Sequence, residues 1–411
     1  MIQLQEHEFW TDKYDDKYEH LSLLTWDRPF EGCRWGYYAS YKIGAEWVDE
    51  TETLVVTTKQ GMEKIDFLCL FMSCFTSDLA LESFSEIYTI DFENPRIYAP
   101  SLKNVISPLI VFHFLGVISR IKTLKRGYVH HIENLKKVKG HIQILKNERK
   151  NIVLKRYNRI YCSYDEYSVD IPENRLLKKA LLFCQRFLQK VFEETDSYFQ
   201  IKSILTKSLL TFEDVSADVH PKDVLLIRGH KLFKEYAEAI RLAKIILSHF
   251  DYSINKAGNA ENKVVPFVLD MSLLYEHYVY GLLYEAYQKQ ITYQFKGKTG
   301  YPDFLYKSKS FKAILDTKYI PKYDKHSLDT YVVRQLSGYS RDLSILKYLG
   351  YDGITEDSPV PDVPCVIIYP QESDDSINPF LGRKLEELCG VRVEGLSRFY
   401  KITIPLPTLN Q

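Results

Sequence analysis

The chain has 411 residues, of which 45% are hydrophobic and 26% charged, and its Lys+Arg and Asp+Glu totals are equal at 54. This composition excludes an intrinsically disordered chain, and the length is sufficient for two or three domains. With a formal net charge of zero there is no global positive field of the kind that indicates nucleic-acid binding, although a local basic patch would be enough.

The cysteines and the apolar runs indicate the cellular compartment. The 7 cysteines are scattered and form no CxxC pair, which argues against a zinc site and favours reduced thiols in a cytosolic protein. The first residues, MIQLQEHEFW, lack the basic and apolar regions of a signal peptide. The most apolar run, 106–119, is too short to span a bilayer. We therefore expect a cytoplasmic protein with no membrane segment.

The first hundred residues are predicted to be mostly β structure. Residues 37–58 contain two short alternating runs joined by a polar turn, which is typical of a hairpin. A helical run at 64–75 is followed by two strand-like runs, IYTIDF and RIYAP. From 107 to about 124 the apolar spacing becomes helical again.

Residues 120–159 form a basic segment with 13 Lys and Arg against two acids, Glu133 and Glu148, a local net charge of +11. A bare run of charge is usually a solvated, extended arm. Here the positive residues are interleaved with Tyr128, Val129 and other apolar residues, which favours an ordered basic surface facing DNA or an acidic protein groove. Composition alone leaves both interpretations open.

The rest of the chain is predicted to be helical around a few short strands. Pro172 stands at a natural helix start, and apolar residues follow it at helical spacing. Further helices are predicted at 228–249, at about 268–289 and at about 328–348, and a short apolar strand at 364–370.

Between the last two helices, residues 300–321 read GYPDFLYKSKSFKAILDTKYIP, two strand-like runs joined by a turn at 307–310. Because side chains alternate along a strand, Asp316 and Lys318 are expected on one face, and the turn brings Asp303 toward Asp316. Two facing carboxylates repel each other unless a cation lies between them. Oxygen ligands of this kind suit Mg²⁺, with Mn²⁺ as the alternative, and Glu276 on the preceding helix supplies a third acid.

This pattern predicts metal-assisted hydrolysis of a phosphodiester. A metal held by Asp303, Asp316 and Glu276 would polarise the phosphoryl oxygen and lower the pKa of a bound water. Lys318 would orient that water or stabilise the charge that develops on the phosphate. A D-x-K triplet alone is a weak signal, since such a pair is often a surface ion pair, but the whole order of acidic helix, PD strand, DxK strand, helix and strand is much less common by chance.

Two further features bear on the site. Gln335 and Tyr339 lie at i and i+4 on one helix face, where they either fill the core or point at the same site. The sequence GKTG at 297–300 hints at a phosphate-binding loop, but a P-loop needs a glycine where this chain has Thr292. The chain therefore contains no recognisable nucleotide-hydrolysing motif.

PDF…LDTKY in this setting resembles the catalytic motif of the PD-(D/E)xK nuclease superfamily, and Gln335-x3-Tyr339 is similar to the QxxxY element of its RecB-like branch. With RGYVHHIENLKKVKGHIQI, CSYDEYSVDIPENRLLKKAL and LYEHYVYGLL, the chain looks like the McrC family, the nuclease subunits of McrBC-type modification-dependent restriction systems. The resemblance runs through most of the chain. It is weaker at 54–67, where members commonly show Pro-Lys after the valines and this chain has Thr57-Thr58-Lys59.

The resemblance implies a subunit that cuts DNA together with a McrB-like AAA+ GTPase hexamer, which recognises methylated double-stranded DNA and translocates it. Family members dock on that ring through their N-terminal region, and the partner, not this chain, would use GTP or ATP. The basic segment would enter the ring or line the DNA path. Asp303, Asp316 and Lys318 match the family's catalytic motif residue by residue, and Glu276 matches by its position in the superfamily.

We therefore predict an α/β protein with two domains. A mostly β N-terminal partner-docking domain over residues 1–160 precedes a helical lead-in and a PD-(D/E)xK restriction-endonuclease-like domain with a mixed central sheet over 161–411. The predicted function is that of a Mg²⁺-dependent DNA endonuclease subunit of a restriction system, acting in phage defence. Two alternatives stay open: a non-catalytic regulatory subunit that stimulates a partner NTPase, and a stand-alone RecB-like exonuclease.

Overall fold

The computed structural model describes residues 1–28, 33–59, 62, 64–74, 86–91, 93–191, 198–224, 234–255, 262–319, 330–372 and 378–408. The chain forms two compact units, one of Met1–Leu109 with Asn259–Gln411 and one of Ile110–Gly258. This division differs from the boundary predicted at residue 160, because segments from both ends of the chain build the first unit. Within the described ranges, no helix is both long enough and apolar enough to cross a membrane.

The strands of the described residues are, in chain order, β1 (Ile2–Gln5), β2 (Phe9–Thr11), β3 (Leu24–Asp27), β4 (Gly36–Ala39), β5 (Lys42–Trp47), β6 (Thr53–Thr57), β7 (Tyr88–Ile90), β8 (Ile97–Tyr98), β9 (Gly127–Leu135), β10 (His141–Ile142), β11 (Ile160–Ser168), β12 (Lys263–Val264), β13 (Phe267–Asp270), β14 (Ile291–Tyr293), β15 (Phe304–Lys307), β16 (Lys312–Thr317), β17 (Cys365–Glu372), β18 (Val391–Arg392) and β19 (Phe399–Leu406). The α-helices are α1 (Phe67–Cys74), α2 (Lys103–Ser119), α3 (Ile144–Asn147), α4 (Pro172–Val191), α5 (Tyr198–Thr211), α6 (Lys234–Asn255), α7 (Met271–Tyr287), α8 (Thr330–Tyr339), α9 (Leu343–Leu349) and α10 (Leu385–Leu388).

A five-stranded sheet in the first unit has the order β1-β6-β5-β13-β7. Its β5–β6 pair is antiparallel, which confirms the hairpin predicted within 37–58. Strand β13 comes from far along the chain and pairs with both β5 and β7. Gly44 permits this pairing, because a Cβ atom there would lie 2.0 Å from the carbonyl oxygen of Phe267. The N-terminal sheet is thus completed by residues that were predicted to begin the helix at about 268–289 in the other domain, whereas the helix begins only at Met271.

The second sheet of interest in the first unit is mixed and has the order β14-β15-β16-β17-β19-β18. Strands β14, β15 and β16 are antiparallel, whereas β16, β17 and β19 are parallel. Leu305 and Ile314 on one face belong to a buried cluster with Leu336 of α8 and Ile345 of α9. On the other face, the ring of Phe304 stacks on Tyr280 of α7. The predicted mixed sheet flanked by helices is confirmed.

The helix predicted over about 328–348 is interrupted. Its described part consists of α8, which ends at Tyr339, and α9, which starts after Asp342. Asp342 is the N-cap of α9, where its side chain accepts a hydrogen bond from the backbone N–H of Ser344, and such a cap competes with continuation of the preceding helix. Part of another prediction, the helix at 228–249, lies outside the described residues, and α6 begins at Lys234.

The second unit contains the basic segment. Strand β9 pairs with β11 along its full length, and β10 pairs with the other edge of β11. The segment is therefore ordered by a three-stranded antiparallel sheet and is not an extended arm. Large apolar side chains remain exposed on this sheet and in the connection between β10 and β11, among them Tyr128 at 78% and Ile144 at 74% exposure.

Candidate active site

Asp303 immediately precedes β15, and its carboxylate is held by Thr317 at the end of β16. The backbone N–H and the hydroxyl of Thr317 both donate to Asp303 Oδ2, at 2.7 and 2.6 Å. The last residue pair between the strands is Phe304 with Leu315, so Asp303 lies opposite Asp316. Burial raises the pKa of Asp303, and the bonds from Thr317 offset part of that rise.

Asp316 lies inside β16 and is fully buried, with 0% exposure. Burial raises the pKa of its carboxyl group to about 7, the charge of Asp303 raises it as well, and Lys318 acts in the opposite direction. The Nζ atom of Lys318 lies 2.7 Å from Asp316 Oδ2. Burial alone would lower the pKa of Lys318, but the charges of Asp316 and Asp303 outweigh it and the pKa is raised. The ammonium group is thus held in its charged form at the strand end.

Glu276 belongs to α7 and interacts electrostatically with the same carboxylates. It is 9% exposed, and its Oε1 atom accepts a hydrogen bond from Gln294 Nε2 at 3.0 Å. Burial, the charge of Asp303 and that of Asp316 together raise its pKa to about 7, against the lowering effect of the bond from Gln294. Glu276 is therefore within electrostatic reach of the other two acids.

Gln335 and Tyr339 of α8 complete one side of the site. Gln335 Nε2 donates to the hydroxyl of Tyr339 at 2.9 Å, and that hydroxyl donates to the carbonyl oxygen of Tyr301 at 3.1 Å. Burial raises the pKa of Tyr339, and although Gln335 lowers it, the charges of Asp316 and Asp303 raise it further. Tyr339 is thus part of the core and also within electrostatic reach of the acids.

The donor set fits a hard cation. Asp316 Oδ1 and Gln335 Oε1 are buried and accept no hydrogen bond from the described residues. Leaving an acceptor buried without a partner is costly, and an oxygen-coordinated metal would satisfy it. In the part of the chain that the structure describes, no group of three or more His, Cys, Asp and Glu is placed to hold a metal ion. The acids would therefore supply only part of a coordination sphere, as is usual for Mg²⁺, which keeps waters and takes substrate phosphate oxygens.

Sequence reasoning missed the residues that hold the acids in place. Thr317 was expected on the opposite face of β16, and only its backbone and hydroxyl geometry reveal the two bonds to Asp303. Gln294 follows β14, a three-residue strand too short to give a clear alternation. Lys59 donates from Nζ to the carbonyl oxygen of Tyr319 at 2.8 Å across 260 positions of sequence, a contact that no local pattern predicts.

A family model described as McrBC 5-methylcytosine restriction system component matches residues 84–340, a range that contains all six candidate site residues. The chain is similar in structure to a half-complex from a tetradecameric assembly of Thermococcus gammatolerans McrB AAA+ hexamers with bound McrC, at 15% identity and a TM-score of 0.37, covering 99% of this chain and 95% of that one. It is also similar to a chain of the Thermococcus gammatolerans McrBC complex, at 13% identity and a TM-score of 0.31, covering 69% of this chain and 86% of that one. Comparison with curated proteins finds no match.

Proposed function

Because this chain belongs to the McrBC 5-methylcytosine restriction system component family, we propose that it is the DNA endonuclease subunit of such a system. The observation that carries the proposal is the placement of Asp303 opposite Asp316, with the ammonium group of Lys318 2.7 Å from Asp316 Oδ2. Acids and a lysine at adjoining strand ends are the groups that metal-assisted phosphodiester hydrolysis requires. Their burial is costly in a protein that does not use them.

Asp303, Asp316 and Glu276 are the residues that would hold Mg²⁺, or Mn²⁺ in its place. When bound, the metal supplies polarisation of the phosphoryl oxygen and a lower pKa for a coordinated water. The pKa values of Asp316 and Glu276 near 7 keep both carboxyl groups partly protonated in the metal-free site, and an adjacent cation favours their ionised form.

Lys318 is the residue placed to act on the substrate. Its charged ammonium group lies beside the acids, where it stabilises negative charge that develops on a phosphate in the transition state. Gln335 and Tyr339 fix the neighbouring backbone through their hydrogen bonds to each other and to Tyr301. We assign them a positioning role, since Gln335 Nε2 and the Tyr339 hydroxyl bind one another and the backbone, and only Gln335 Oε1 is left without a partner among the described residues.

The partner in this proposal is a McrB-like AAA+ hexamer that hydrolyses GTP, or ATP, and moves double-stranded, methylated DNA. The absence of a P-loop from the sequence supports a motor on another chain. The exposed apolar and basic side chains on the β9–β11 sheet and in the connection between β10 and β11, including Tyr128, Ile144 and Tyr157, are suited to docking against such a ring. In Thermococcus gammatolerans, McrC is bound to McrB AAA+ hexamers.

The test compares single variants in the complex reconstituted with a McrB-like AAA+ partner. Asp316→Ala and Lys318→Ala should abolish Mg²⁺-dependent cleavage of methylated DNA while leaving NTP hydrolysis in place. Asp357→Ala and Lys309→Ala, at exposed positions of the same unit, are the matched controls and should cut normally.

Three outcomes separate the alternatives. Cleavage that survives both site variants refutes the nuclease assignment. Stimulated NTP hydrolysis without any cleavage by the unaltered chain supports the regulatory subunit. Degradation from DNA ends by the isolated chain, with no nucleotide added, supports the stand-alone exonuclease.

A further inference from the structure

Residues 296–301, KGKTGY, form a loop at the edge of the candidate site, which we call the site loop. It joins the antiparallel strands β14 and β15. The hydrogen bonding of these two strands extends by one further bond toward the loop, from the Gln294 N–H to the Asp303 carbonyl oxygen at 2.9 Å. Within the loop, the Gly297 N–H donates to the Gly300 carbonyl oxygen at 2.9 Å. A strand, not a helix, follows the loop, so its GKTG sequence does not form the strand–loop–helix arrangement of a nucleotide-binding P-loop.

One end of the site loop is fixed to α9. The N–H and the hydroxyl of Thr299 both donate to Asp342 Oδ2, at 2.7 and 3.0 Å. Asp342 is 3% exposed and is also the N-cap of α9. A Cβ atom at Gly297 would lie 2.7 Å from Asp342 Oδ2 and 2.9 Å from Ile345, so only glycine allows this close approach.

The other end of the site loop is fixed to the candidate site. Gly300 has a φ of +139° and lies against the ring of Tyr339, where an added Cβ would come within 3.2 Å of the ring and of the hydroxyl. Tyr339 in turn donates to the carbonyl oxygen of Tyr301. Tyr301 is two residues from Asp303, so its Cα atom lies within about 7 Å of that of Asp303. The loop is therefore a rigid extension of the site and not an incidental surface turn.

The site loop carries positive charge that forms no ion pair within the part of the chain that the structure describes. Lys296 and Lys298 are exposed, and neither takes part in an ion pair found among the described residues. The acids of the site repel a phosphodiester backbone, so a nuclease needs fixed positive charge beside them. Lys296 and Lys298, two positions apart on an anchored loop, supply that charge and stay exposed.

We propose that Lys296 and Lys298 of the site loop bind the DNA phosphate backbone beside the bond to be cut. The proposal rests on the function proposed above and names the element that positions its substrate. Two such contacts contribute about 1.8 to the slope of log affinity against log salt, at 0.9 for each neutralised phosphate. The same relation gives a loss of roughly 50-fold in affinity at about 0.1 M salt when both contacts are removed.

The experiment measures binding of a short labelled duplex to the full chain by fluorescence anisotropy, in EDTA, over a series of KCl concentrations. The double variant Lys296→Gln/Lys298→Gln should lower the salt slope by about 1.8 with no change in thermal unfolding temperature. The charge-conserving variant Lys298→Arg should keep the slope. Lys309→Gln, an exposed lysine at the opposite end of β15, is the matched control and should also keep it.

The outcomes of this experiment and of the cleavage test are separable. An unchanged slope in the double variant, or no DNA binding by the unaltered chain at low salt, overturns the site-loop proposal even if the complex cuts DNA. A reduced slope in the double variant, together with cleavage that survives loss of Asp316, supports the loop and refutes the nuclease assignment. Because binding is measured without divalent metal, it does not depend on catalysis.

Discussion

Replacing Asp316 with asparagine should make the metal-free protein more stable above pH 7. The carboxyl group has 0% exposure, and its pKa of about 7 against an ordinary value of 3.8 measures how strongly the fold disfavours its ionised form. Asparagine has the same shape and no charge, so it removes this penalty without leaving a cavity. A site that is built for function at the expense of stability is expected to respond in this way.

The magnitude follows from the pKa of Asp316. A rise of about 3 units corresponds to about 4 kcal/mol, since each unit is worth 1.36 kcal/mol. Burial is the first cause and Asp303 the second, while the attraction of Lys318 is already included in the net value. In the variant, Lys318 loses its ion-pair partner 2.7 Å away, and this loss offsets part of the stabilisation. We therefore expect a net stabilisation of about 1–3 kcal/mol at pH 8.

The sign of the pH dependence follows from the raised pKa of Asp316. Between its unfolded pKa near 3.8 and its folded pKa of about 7, the folded state binds more protons than the unfolded state. The stability of the unaltered protein therefore falls as pH rises through this window. At pH 5 the folded carboxyl group is protonated while the unfolded one is already mostly ionised, so part of the penalty remains, and the advantage of the asparagine variant should be smaller than at pH 8 by about 2–3 kcal/mol.

The assay is thermal unfolding of both proteins at pH 5 and pH 8, with and without Mg²⁺. Metal binding to the native state stabilises the unaltered protein by about 2.7 kcal/mol when its concentration is 100 times the dissociation constant. The asparagine variant should gain much less. A variant that unfolds at or below the temperature of the unaltered protein at pH 8 in EDTA, or that gains the same stability from Mg²⁺, would refute the reasoning.

Two other substitutions test how the site is held. Thr317→Val removes the hydroxyl donor to Asp303 but keeps the N–H donor, so it should weaken Mg²⁺ binding by about tenfold. The control variant Thr317→Ser keeps a hydroxyl and should bind Mg²⁺ as the unaltered protein does. Equal Mg²⁺ affinities of the valine variant and the unaltered protein by titration calorimetry would contradict this expectation. Lys59→Met removes the 2.8 Å bond to the buried carbonyl oxygen of Tyr319 and should cost about 1–3 kcal/mol of unfolding free energy. Denaturant unfolding measures this loss, and an unchanged midpoint would show that the bond contributes nothing.

The local parts of this structure were predictable from the sequence. Alternation in residues 37–58 predicts the β5–β6 hairpin, and the runs on either side of 307–310 predict the β15–β16 pair with Asp303 opposite Asp316. In each case the signal lies within about twenty residues, and the turn joins the two strands directly. Such contacts are specified by side-chain alternation and turn chemistry, which can be read from one sequence.

The non-local parts were not predictable in this way. The residues of β13 read as the start of the helix predicted at about 268–289, and nothing in their composition shows that they form a strand with β5 and β7 as its neighbours. Gly44, which makes room for β13, reads as a glycine inside a strand. The break between α8 and α9 was missed because Asp342 lies within a helical sequence pattern. An aspartate in such a pattern becomes an N-cap only where the chain turns, and tertiary packing determines whether it turns there.

These non-local contacts also decide how the end of β16, with the candidate site residues Asp316 and Lys318, is supported. Each residue from Thr317 to Tyr319 is tied to a different segment: Thr317 to Asp303, the Lys318 N–H to the Ile368 carbonyl oxygen at 2.8 Å, and the Tyr319 carbonyl oxygen to Lys59. Residues 161–411 alone would leave β13 without both of its partner strands and would remove Lys59. They therefore do not form an independent folding unit, and the strand that carries the DxK motif depends on the N-terminal sheet for its position. A change in that sheet on docking a partner would act directly on the end of β16.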